Sequence, residues 1–456
     1  MKKYFLAVAS FFIYSHISLG QVYPGQMDST FVPVRSHHYD PELTFDFCVN
    51  EPAWSNQAGI HSAFGSTDRL YFRKEVPVNH DNDLSSSYST TVWRGERANA
   101  QILVWSSEAL EQVRVSTQDL RSAEGNIIPK DRITFELVRY VLSNYPYAEK
   151  KAICGESPYK SGFLMPDRFE TLDRFDLPSQ TTRPVWMMVD VPRGTVPGTY
   201  KGQVEVRAKG KAPQLLNLEI VVQNQFLPYP KDWKYRLDLW QNPWAVAWYN
   251  HVEPWSPEHK MLLKQHLKHY ADAGGTYITT YGVHSPWSDN SYMIEGGMIE
   301  WIKKADGTWA FDYKIFDEYV ELAMECGIDE AITLYTPIPW GFRHRYKDEA
   351  TGDYSYINWA PSSEEFKKMW NIFLTDFKFH LEAKSWLDIT YIGINENPME
   401  ETLAAIHVVR NHDKCWKITY AGNWHKELDG LLDDYSFLYG EEPTIAEQKA
   451  RAATGR

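Results

Sequence analysis

Residues 389–398 read ITYIGINENP and combine two opposing tendencies. The first six residues are mostly bulky and β-prone, as in a strand that is buried in a sheet. The Asn-Glu-Asn run at 395–397 is polar, and Pro398 cannot continue the hydrogen-bonded ladder of a strand. A helical pattern follows near 400–412. The segment therefore predicts one strand–helix unit whose strand ends in an amide and a carboxylate.

The same alternation of strand and helix recurs through residues 231–456. Predicted strands are YRLDLWQ, TYITTYGVH, AITLYTPIPW, LDITYIGI, WKITYAGNW and YSFLYG, and predicted helices are 257–273, FDEYVELAMECG, 363–384, 400–412 and EPTIAEQKARAA. Alternating units imply a parallel sheet, and this many indicate a (β/α)8 TIM-like barrel. About six of its eight units fit before Arg456, so we expect the barrel to be incomplete at its C-terminus. An open doubly wound sheet is the alternative.

The preceding part of the chain, residues 21–230, has the alternating apolar and polar pattern of β-strands. Short alternating segments stand between turn signals: QILVWSS, QVRVST, RPVWMMVDVP, GTYKGQVEVRA and LLNLEIVVQN. Strands of this length and spacing predict an antiparallel β-sandwich. Two prolines stiffen the segment VQNQFLPYPKDW, which marks the boundary between the domains. The chain of 456 residues is therefore predicted to be multidomain.

Residues 1–20 have the layout of a signal peptide. Two lysines precede an apolar stretch at 4–14, and the small residues Ser18 and Gly20 stand before the expected cleavage site. The apolar run is shorter than the roughly 20 residues that a membrane span needs. We expect an exported bacterial protein, periplasmic or secreted, without membrane insertion.

The composition excludes some partners and favours others. The chain has 47 Lys and Arg against 60 Asp and Glu, a formal net charge of -13, and it lacks basic runs. This argues against a nucleic-acid partner. Aromatic residues make up 15% of the chain, including 18 Trp and 28 Tyr. Such residues either fill the core or stack against weakly polar faces such as sugar rings.

No metal site or cofactor motif is evident in the sequence. There is no glycine-rich phosphate loop and no HExxH motif, so we expect no cofactor. The four cysteines are far apart and lack metal-ligand spacing. We interpret them as buried free thiols, with a disulfide after export as the alternative: Cys48, Cys154, Cys326 and Cys415.

Aromatic and hydrogen-bonding residues follow the predicted barrel strands, where barrel enzymes carry their chemistry. The strand ends deliver, in chain order, Asp238, Trp240, Gln241, His284, Trp287, Tyr335, Trp340, Asn395, Glu396, Asn423, Trp424 and His425. From these we predict a glycan-binding rim formed by Asp238, Trp240, His284, Trp287, Tyr335, Trp340 and Trp424. Each Trp or His also has an ordinary structural role as its alternative.

Glu396 is harder to explain as a structural residue, because a carboxylate between two amides and before a proline continues a strand poorly. Two other acidic pairs, Asp329-Glu330 and Asp433-Asp434, precede predicted strands. That position is the N-terminal face of a barrel, where residues serve stability rather than chemistry. We therefore predict Glu396 as the functional carboxylate.

The chain resembles glycoside hydrolase family 123, bacterial exo-β-N-acetylgalactosaminidases. The N-terminal phrases VWRGERANAQILVW, RPVWMMVDVP and PGTYKGQVEV are similar to that family's β-sandwich. LDLWQNPWAVAWYNHVEPWS, DGTWAFDYKIFDEYV and IGINENPME match phrases of its barrel in order. The resemblance covers nearly the whole mature chain and implies a sandwich, a catalytic (β/α)8 barrel and a further C-terminal region.

The resemblance also implies a mechanism. The family carries an Asp-Glu pair at the end of this strand, and the 2-acetamido oxygen of the substrate acts as the nucleophile. Glu396 aligns with the acid/base, whereas Asn395 stands where the family has Asp. An amide can hold the acetamide by hydrogen bonds but carries no charge to balance a cationic intermediate.

Three functions are compatible with these residues. The first is an exported hydrolase that removes terminal β-linked N-acetylgalactosamine by retaining, substrate-assisted catalysis, with Glu396 and Asn395 as catalytic residues. The second is an inactive carbohydrate-binding relative, which Asn395 favours. The third is a glycosidase for another sugar, in which the acetamide contacts are reassigned.

Overall fold

The computed structural model describes most of the chain. The described residues are 51–79, 83–143, 163–287, 296–438, 440 and 442–454, with three short strands between Met27 and Leu43. The predicted signal peptide at 1–20, Cys48 and Cys154 lie outside them. The chain divides into two compact units, Met1–Leu227 and Pro228–Arg456, so the division falls three residues before the boundary expected from the sequence.

The first unit is rich in β-strands, as predicted. One short helix, α1 (Glu51–Trp54), accompanies fourteen strands among its described residues. The strands are β1 (Met27–Asp28), β2 (Phe31–Pro33), β3 (Glu42–Leu43), β4 (His61–Gly65), β5 (Ser87–Arg94), β6 (Arg97–Ser106), β7 (Leu110–Thr117), β8 (Leu120–Arg121), β9 (Ile127–Ile128), β10 (Ile133–Ser143), β11 (Phe163–Leu177), β12 (Thr181–Asp190), β13 (Gly198–Arg207) and β14 (Gln214–Phe226). All five segments that the sequence predicted as strands are strands.

The sheet of this unit encloses one core. Its strand order is β4-β6-β12-β10-β11-β7-β13-β14-β5, antiparallel throughout except for the β14–β5 pair. Strand β11 pairs with β10 along its first part and with β7 near its end, so it passes between two groups of strands. Phe64 of β4 and Val92 of β5 stand at opposite ends of this order but belong to one buried cluster. The strands therefore wrap around a shared core.

The second unit alternates strands and helices. Its helices are α2 (Pro243–Asn250), α3 (Pro257–Asp272), α4 (Lys314–Glu325), α5 (Glu364–Lys384), α6 (Met399–His412), α7 (Lys426–Asp429) and α8 (Ile445–Ala453). Its strands are β15 (Tyr277–Tyr281), β16 (Glu300–Lys303), β17 (Trp309–Asp312), β18 (Ala331–Tyr335), β19 (Arg343–Asp348), β20 (Tyr354–Asn358), β21 (Thr390–Ile394), β22 (Lys417–Gly422) and β23 (Asp434–Phe437). The five predicted helices and five of the six predicted strands are present.

Five of these strands form a parallel sheet in the order β15-β18-β21-β22-β23. The order follows the chain without a reversal, as in a barrel, whereas a doubly wound sheet reverses at a switch point. The parallel sheet is thus established, and the complete eight-stranded barrel stays a prediction.

Local sequence sets the start of helix α3. Ser256 caps α3 by accepting a hydrogen bond from the His259 N–H, and Pro257 occupies the first helical position.

The first predicted barrel strand, YRLDLWQ, was wrong as a regular strand. Only Leu237 pairs with the sheet, through a parallel bridge to Gly275. Further along the segment, a side-chain hydrogen bond stands in place of the backbone hydrogen bonds of a strand, because Gln241 Oε1 accepts the Thr279 N–H at 2.8 Å. Asn242 then caps α2, and Pro243 stands at its first position. Gln241, expected at the rim, is therefore an anchor between this segment and β15.

A four-stranded sheet in the order β17-β16-β19-β20 was not predicted. Its strands lie in the two connections that follow β15 and β18. One face packs on an aromatic core, where Trp301 stacks on Phe373 of α5 with ring centroids 4.8 Å apart. The sheet therefore stands beside the carboxyl ends of the parallel strands.

Two further predictions can be compared with the described residues. Cys326 is a buried free thiol, as expected, but Cys415 is exposed because it lies in the turn between α6 and β22, so that prediction was wrong. Among the described helices, none has the length and apolar character needed to cross a membrane.

Candidate active site

Three aromatic side chains meet at the carboxyl edge of the parallel sheet: Tyr335 ends β18, Trp287 lies in the connection after β15, and Trp240 lies in the irregular segment before α2. The ring centroid of Trp287 lies 5.2 Å from that of Trp240 and 5.2 Å from that of Tyr335. Trp240 and Tyr335 are 5.0 Å apart. Tyr335 and Trp287 are buried, whereas 46% of Trp240 is exposed. This aromatic cluster therefore presents one indole, that of Trp240, to solvent.

A glycine in the neighbouring strand allows the cluster to form. A Cβ on Gly393 of β21 would lie 2.9 Å from two ring carbons of Tyr335. Real Cβ atoms do not approach other atoms this closely, so the Tyr335 ring can occupy this place only because residue 393 has no side chain. The cluster is thereby packed against the strand that ends in Asn395 and Glu396.

Asn395 is buried and holds two loops at the site. Its Nδ2 donates to the carbonyl oxygen of Pro286 at 3.3 Å, and its backbone N–H donates to Thr336 Oγ1 at 3.4 Å. The same Pro286 carbonyl accepts the backbone N–H of Trp340 at 2.9 Å. Asn395 Oδ1 is buried without a hydrogen-bond partner among the described residues. The unused acceptor makes Asn395 able to bind a donor such as an amide N–H.

Glu396 projects to the exposed rim, directly after the buried Asn395. Its side chain lies over Gly422 at the end of β22, where a Cβ would be 2.8 Å from Glu396 Oε1 and 2.6 Å from the hydroxyl of Tyr420. Burial raises the pKa of Tyr420 to about 12, and the charge of Glu396 adds to this effect. A solvent-accessible carboxyl group beside a protonated phenol is suited to exchange protons with a bound molecule.

Asp238 is half-buried, and its Oδ1 has no hydrogen-bond partner among the described residues. Burial raises its pKa from 3.8 to about 6, with a smaller contribution from the charge of Asp434. Its charge in turn helps to raise the pKa of Tyr335, which places Asp238 near the aromatic cluster. Asp238 is therefore a second carboxyl group with free hydrogen-bonding capacity in this region.

His284 stands on the wall of a cavity of about 740 Å³. Burial lowers its pKa to about 4, and the positive charges of Arg345 and Arg343 lower it further in the same direction. A histidine with this pKa is neutral at pH 7 and presents one nitrogen as an acceptor and the other as a donor. It is therefore placed to bind hydroxyl groups in the cavity.

Trp424 does not join the aromatic cluster by any ring contact among the described residues. It stacks on Tyr435 instead, with centroids 5.0 Å apart and planes 30° apart. The Tyr435 hydroxyl accepts the His425 backbone N–H and donates to the Asn423 carbonyl, both at 2.7 Å. The loop after β22 is thus fixed through its backbone, which leaves the Asn423 side chain exposed.

The sequence alone did not point to several residues that shape this site. Thr336 and Pro286 contact Asn395 from positions 59 and 109 residues away along the chain, so no local pattern reveals them. Asn397 donates from Nδ2 to the Ile338 carbonyl at 3.0 Å and fixes the loop after β18. Gly422, at the end of one apolar strand, and Gly393, within another, are the sequence signals of a close approach.

Of the two acidic pairs set aside from the sequence, Asp434 was wrongly placed at the N-terminal face, because the strand register links it through Thr419 and Gly393 to Tyr335 at the end of β18. Asp433 forms an ion pair with Arg410 at 2.5 Å, and Asp434 accepts the Thr419 hydroxyl at 2.9 Å. Glu330 pairs with Arg236 at 3.2 Å. Within the described parts of the chain, no group of three His, Cys, Asp or Glu side chains is placed to hold a metal ion.

Two family profiles match the sequence. The glycoside hydrolase 123 catalytic domain matches residues 240–456, and the glycoside hydrolase 123 N-terminal domain matches residues 64–208. A comparison with curated protein sequences found no match. The two matched ranges lie in the second and first structural units, respectively.

Among solved structures, a family 123 glycoside hydrolase from Clostridium perfringens is similar over most of the chain. The TM-score is 0.76 at 25% identity, and the match covers 87% of this chain and 71% of that one. A family 39 glycoside hydrolase from Bacteroides cellulosilyticus has a TM-score of 0.23 at 13% identity, covering 68% and 48%. A Bacteroides ovatus xyloglucanase has 0.16 at 9%, covering 80% and 57%.

The profiles and the Clostridium structure point to the same family. Both profile matches name the same family, and the matched ranges include Glu396 and the aromatic cluster. The protein belongs to glycoside hydrolase family 123.

Proposed function

We propose that this glycosidase removes terminal β-linked N-acetylgalactosamine from glycans by retaining, substrate-assisted catalysis. The observation that carries the proposal is the position of Asn395 Oδ1, which is buried, has no hydrogen-bond partner among the described residues and belongs to the neighbour of Glu396. A buried acceptor without a partner costs free energy unless a ligand supplies a donor. The N–H of a 2-acetamido group is such a donor.

In the first step, the carbonyl oxygen of the acetamide attacks the anomeric carbon of its own sugar. The bond from that carbon to the leaving oxygen breaks, and Glu396 gives its proton to the leaving oxygen. Asn395 holds the acetamide N–H and so directs its oxygen at the anomeric carbon. Because the substrate supplies the nucleophile, a second catalytic carboxylate is not required.

In the second step, Glu396 takes a proton from a water molecule as the water attacks the anomeric carbon. The ring formed by the acetamide opens, and the product keeps the β configuration. Trp240 contributes a flat apolar surface for the sugar, because its indole is half exposed at the rim. General acid–base catalysis of this kind contributes roughly 10²–10⁴-fold in rate.

The experiment is hydrolysis of aryl glycosides by the purified protein. We expect release of 4-nitrophenol from the β-N-acetylgalactosaminide, less from the β-N-acetylglucosaminide and none from the β-galactoside, which has no acetamide. A circular dichroism spectrum shows that the protein is folded. Preferred cleavage of the β-galactoside would contradict substrate assistance.

A second candidate is an inactive carbohydrate-binding relative. It is favoured by Asn395, since the family has Asp there and an amide cannot balance a cationic intermediate. Folded protein that binds N-acetylgalactosamine but releases no phenol from either acetamido substrate would support this candidate. Export to the periplasm or outside the cell is part of our proposal and rests on the signal-peptide layout of the sequence at 1–20.

A further inference from the structure

The hairpin of β19 and β20 presents cations and tyrosines on one face. Successive side chains of a strand point to opposite faces, so Arg343, Arg345 and Lys347 share a face. The residue between the two arginines, His344, points the other way and packs against Trp359, with ring centroids 4.8 Å apart. The core side of the hairpin is therefore aromatic, and the opposite side is basic.

Each of the two arginines stacks on a tyrosine of β20. The guanidinium carbon of Arg343 lies 3.7 Å from the ring centroid of Tyr356, and that of Arg345 lies 4.3 Å from the centroid of Tyr354. Tyr354 is held in turn by its hydroxyl, which donates to Glu300 Oε1 at 2.5 Å. Stacked guanidinium groups lose little further entropy when they bind a ligand, which favours recognition by their N–H groups.

These two arginines lack the carboxylate partners that the others have. Among the described arginines of residues 228–456, Arg236, Arg410 and Arg451 have a carboxylate oxygen at 3.2, 2.5 and 3.1 Å, respectively. No carboxylate within 4 Å of Arg343 or Arg345 is found in the part of the chain that the structure describes.

One of the two arginines, Arg345, lines the cavity of about 740 Å³ together with Tyr354 and His284. Arg343 stands outside this lining, two residues away on the same face of β19. Burial lowers the pKa of His284, and the positive charges of Arg345 and Arg343 lower it further, so the field of both arginines reaches the cavity wall. Trp244, which also lines the cavity, has its ring centroid 5.0 Å from that of Tyr281, and Tyr281 lies 5.5 Å from Trp287. Consecutive ring contacts thus connect the cavity wall to the aromatic cluster.

Acidic residues line the cavity as well, and two of them are already engaged. Glu300 accepts the Tyr354 hydroxyl, and Asp312 accepts the backbone N–H of Lys314 at 2.8 Å. Lys260 and Glu318 pair with each other at 3.3 Å. Carboxylates of this kind accept hydrogen bonds from sugar hydroxyls. Glu253 and Lys314 also line the cavity. Arg345, with Arg343 beside it on β19, is the guanidinium group of this lining that can select for an anion.

We propose that the cavity is a subsite for the sugar next to the terminal one, and that Arg343 and Arg345 bind an anionic group on that sugar. The anionic group is a carboxylate or a sulfate ester, both of which match the fork of N–H groups of arginine. The proposal rests on the proposed function, because it assigns the leaving part of the same substrate.

The test uses three disaccharides with the same terminal β-N-acetylgalactosamine, linked to galactose, to a sulfated galactose or to glucuronic acid. We expect kcat/KM of the wild type for at least one anionic substrate to exceed that for the neutral one by about 10-fold, the size of one charge-assisted hydrogen bond. The double variant Arg343→Gln/Arg345→Gln should lose this preference and keep its rate on the neutral substrate within about twofold. Comparison of the two anionic substrates identifies the anion.

Lys368→Gln is the matched control, because Lys368 is exposed on α5 and does not line the cavity. It removes a positive charge and should keep the preference. If the double Gln variant does not fold, the double Lys variant keeps the charge without the fork and should retain only part of the preference. A wild type without preference for either anion, or an equal loss on all three substrates, would overturn the inference.

The neutral disaccharide and the aryl glycoside distinguish failure of the proposed function from failure of the subsite proposal. If neither is cleaved by folded protein, the inference is tested by calorimetric titration of the two anionic disaccharides into wild type and double variant. We expect binding by the wild type, weakened about 10-fold or more in the double variant and by added salt. Equal affinity in both forms, or no binding by the wild type, would reject the subsite.

Discussion

The side chain of Glu396 occupies the space that a side chain at Gly422 would need. A Cβ on Gly422 would lie 2.7 Å from Glu396 Cγ and 2.8 Å from Oε1. Glu396 lies two residues after the end of β21, and Gly422 is the last residue of β22. The two strands are neighbours in the parallel sheet. The missing side chain at 422 therefore sets where the carboxyl group of Glu396 stands.

We predict that Gly422→Ala displaces Glu396 and lowers kcat by about 10²-fold, since a displacement of about 1 Å has effects of this size. The backbone at 422 is not left-handed, so the substitution acts through contact rather than backbone strain. Gly430→Ala is the control, because a Cβ there meets no atom within 4 Å. Equal kcat values for both variants and the wild type would contradict this role of Gly422.

Glu396→Gln keeps the shape of the side chain but removes its proton exchange. We expect turnover of substrates with poor leaving groups to fall by about 10²-fold or more, with a smaller loss for activated aryl glycosides. Sugar binding, measured by titration, should be retained. Glu400→Gln, on the exposed first turn of α6, should be silent. Full activity of Glu396→Gln would remove this residue from the mechanism.

Trp240→Ala should weaken substrate binding. Trp240 stacks on Trp287 and still exposes 46% of its surface, so its indole has area left for a sugar. Loss of one aromatic stack of about 1.4 kcal/mol corresponds to about a 10-fold rise in KM. Trp248→Ala on α2 is the matched control, since Trp248 is 62% exposed and is not part of the aromatic cluster. A KM that changes equally in both variants would count against the sugar-stacking role.

Asp238 gives the stability a defined dependence on pH. Its folded-state pKa of about 6 lies above the ordinary 3.8, so the folded protein binds the proton more tightly than the unfolded chain. This contribution is fully present below about pH 4 and is lost as the pH rises through 6. It amounts to at most about 3 kcal/mol.

Asp238→Asn, which cannot ionise, should therefore be more stable than the wild type at pH 7.5 and similar to it at pH 4. Denaturant unfolding at the two pH values measures the difference. Asp388→Asn, at an exposed position, is the control. A stability difference that is the same at both pH values would show that Asp238 does not titrate in this range.

The fold of the second unit was predictable where local signals agree. Ser256 and Pro257 marked the start of α3, and apolar runs marked five strands. The YRLDLWQ segment failed because a side chain, that of Gln241, replaces the backbone ladder. The strands of the second sheet are only four to six residues long and pair with each other: β16, β17, β19 and β20. The alternation of strands and helices along the sequence therefore does not predict them.

The candidate site was predictable only as a set of strand-end residues. Strand ends placed Trp240, Trp287 and Tyr335 at one edge, but their mutual stacking depends on Gly393 in another strand. The contact of Asn395 with Pro286 joins residues 109 positions apart. Such pairings follow from tertiary packing and have no local signature in the sequence.

Substitutions at Asn395 separate a catalytic role from a structural one. Asn395→Asp places a negative charge beside the cationic intermediate, which favours the transition state. We expect hydrolysis of N-acetylgalactosaminides to be maintained or increased. Stability should fall by about 1 kcal/mol, because the hydrogen bond from Nδ2 to Pro286 is lost. Asn395→Ala should lose most activity, and similar rates for Asn, Asp and Ala would exclude a role in catalysis.

The most direct measurement follows the anomeric proton of the first product by NMR during cleavage of an aryl β-N-acetylgalactosaminide, with and without a thiazoline mimic of the cyclised intermediate. Substrate assistance through the acetamide predicts that the β anomer appears first and that the thiazoline inhibits competitively. Initial release of the α anomer, or β product with no thiazoline inhibition, would contradict it.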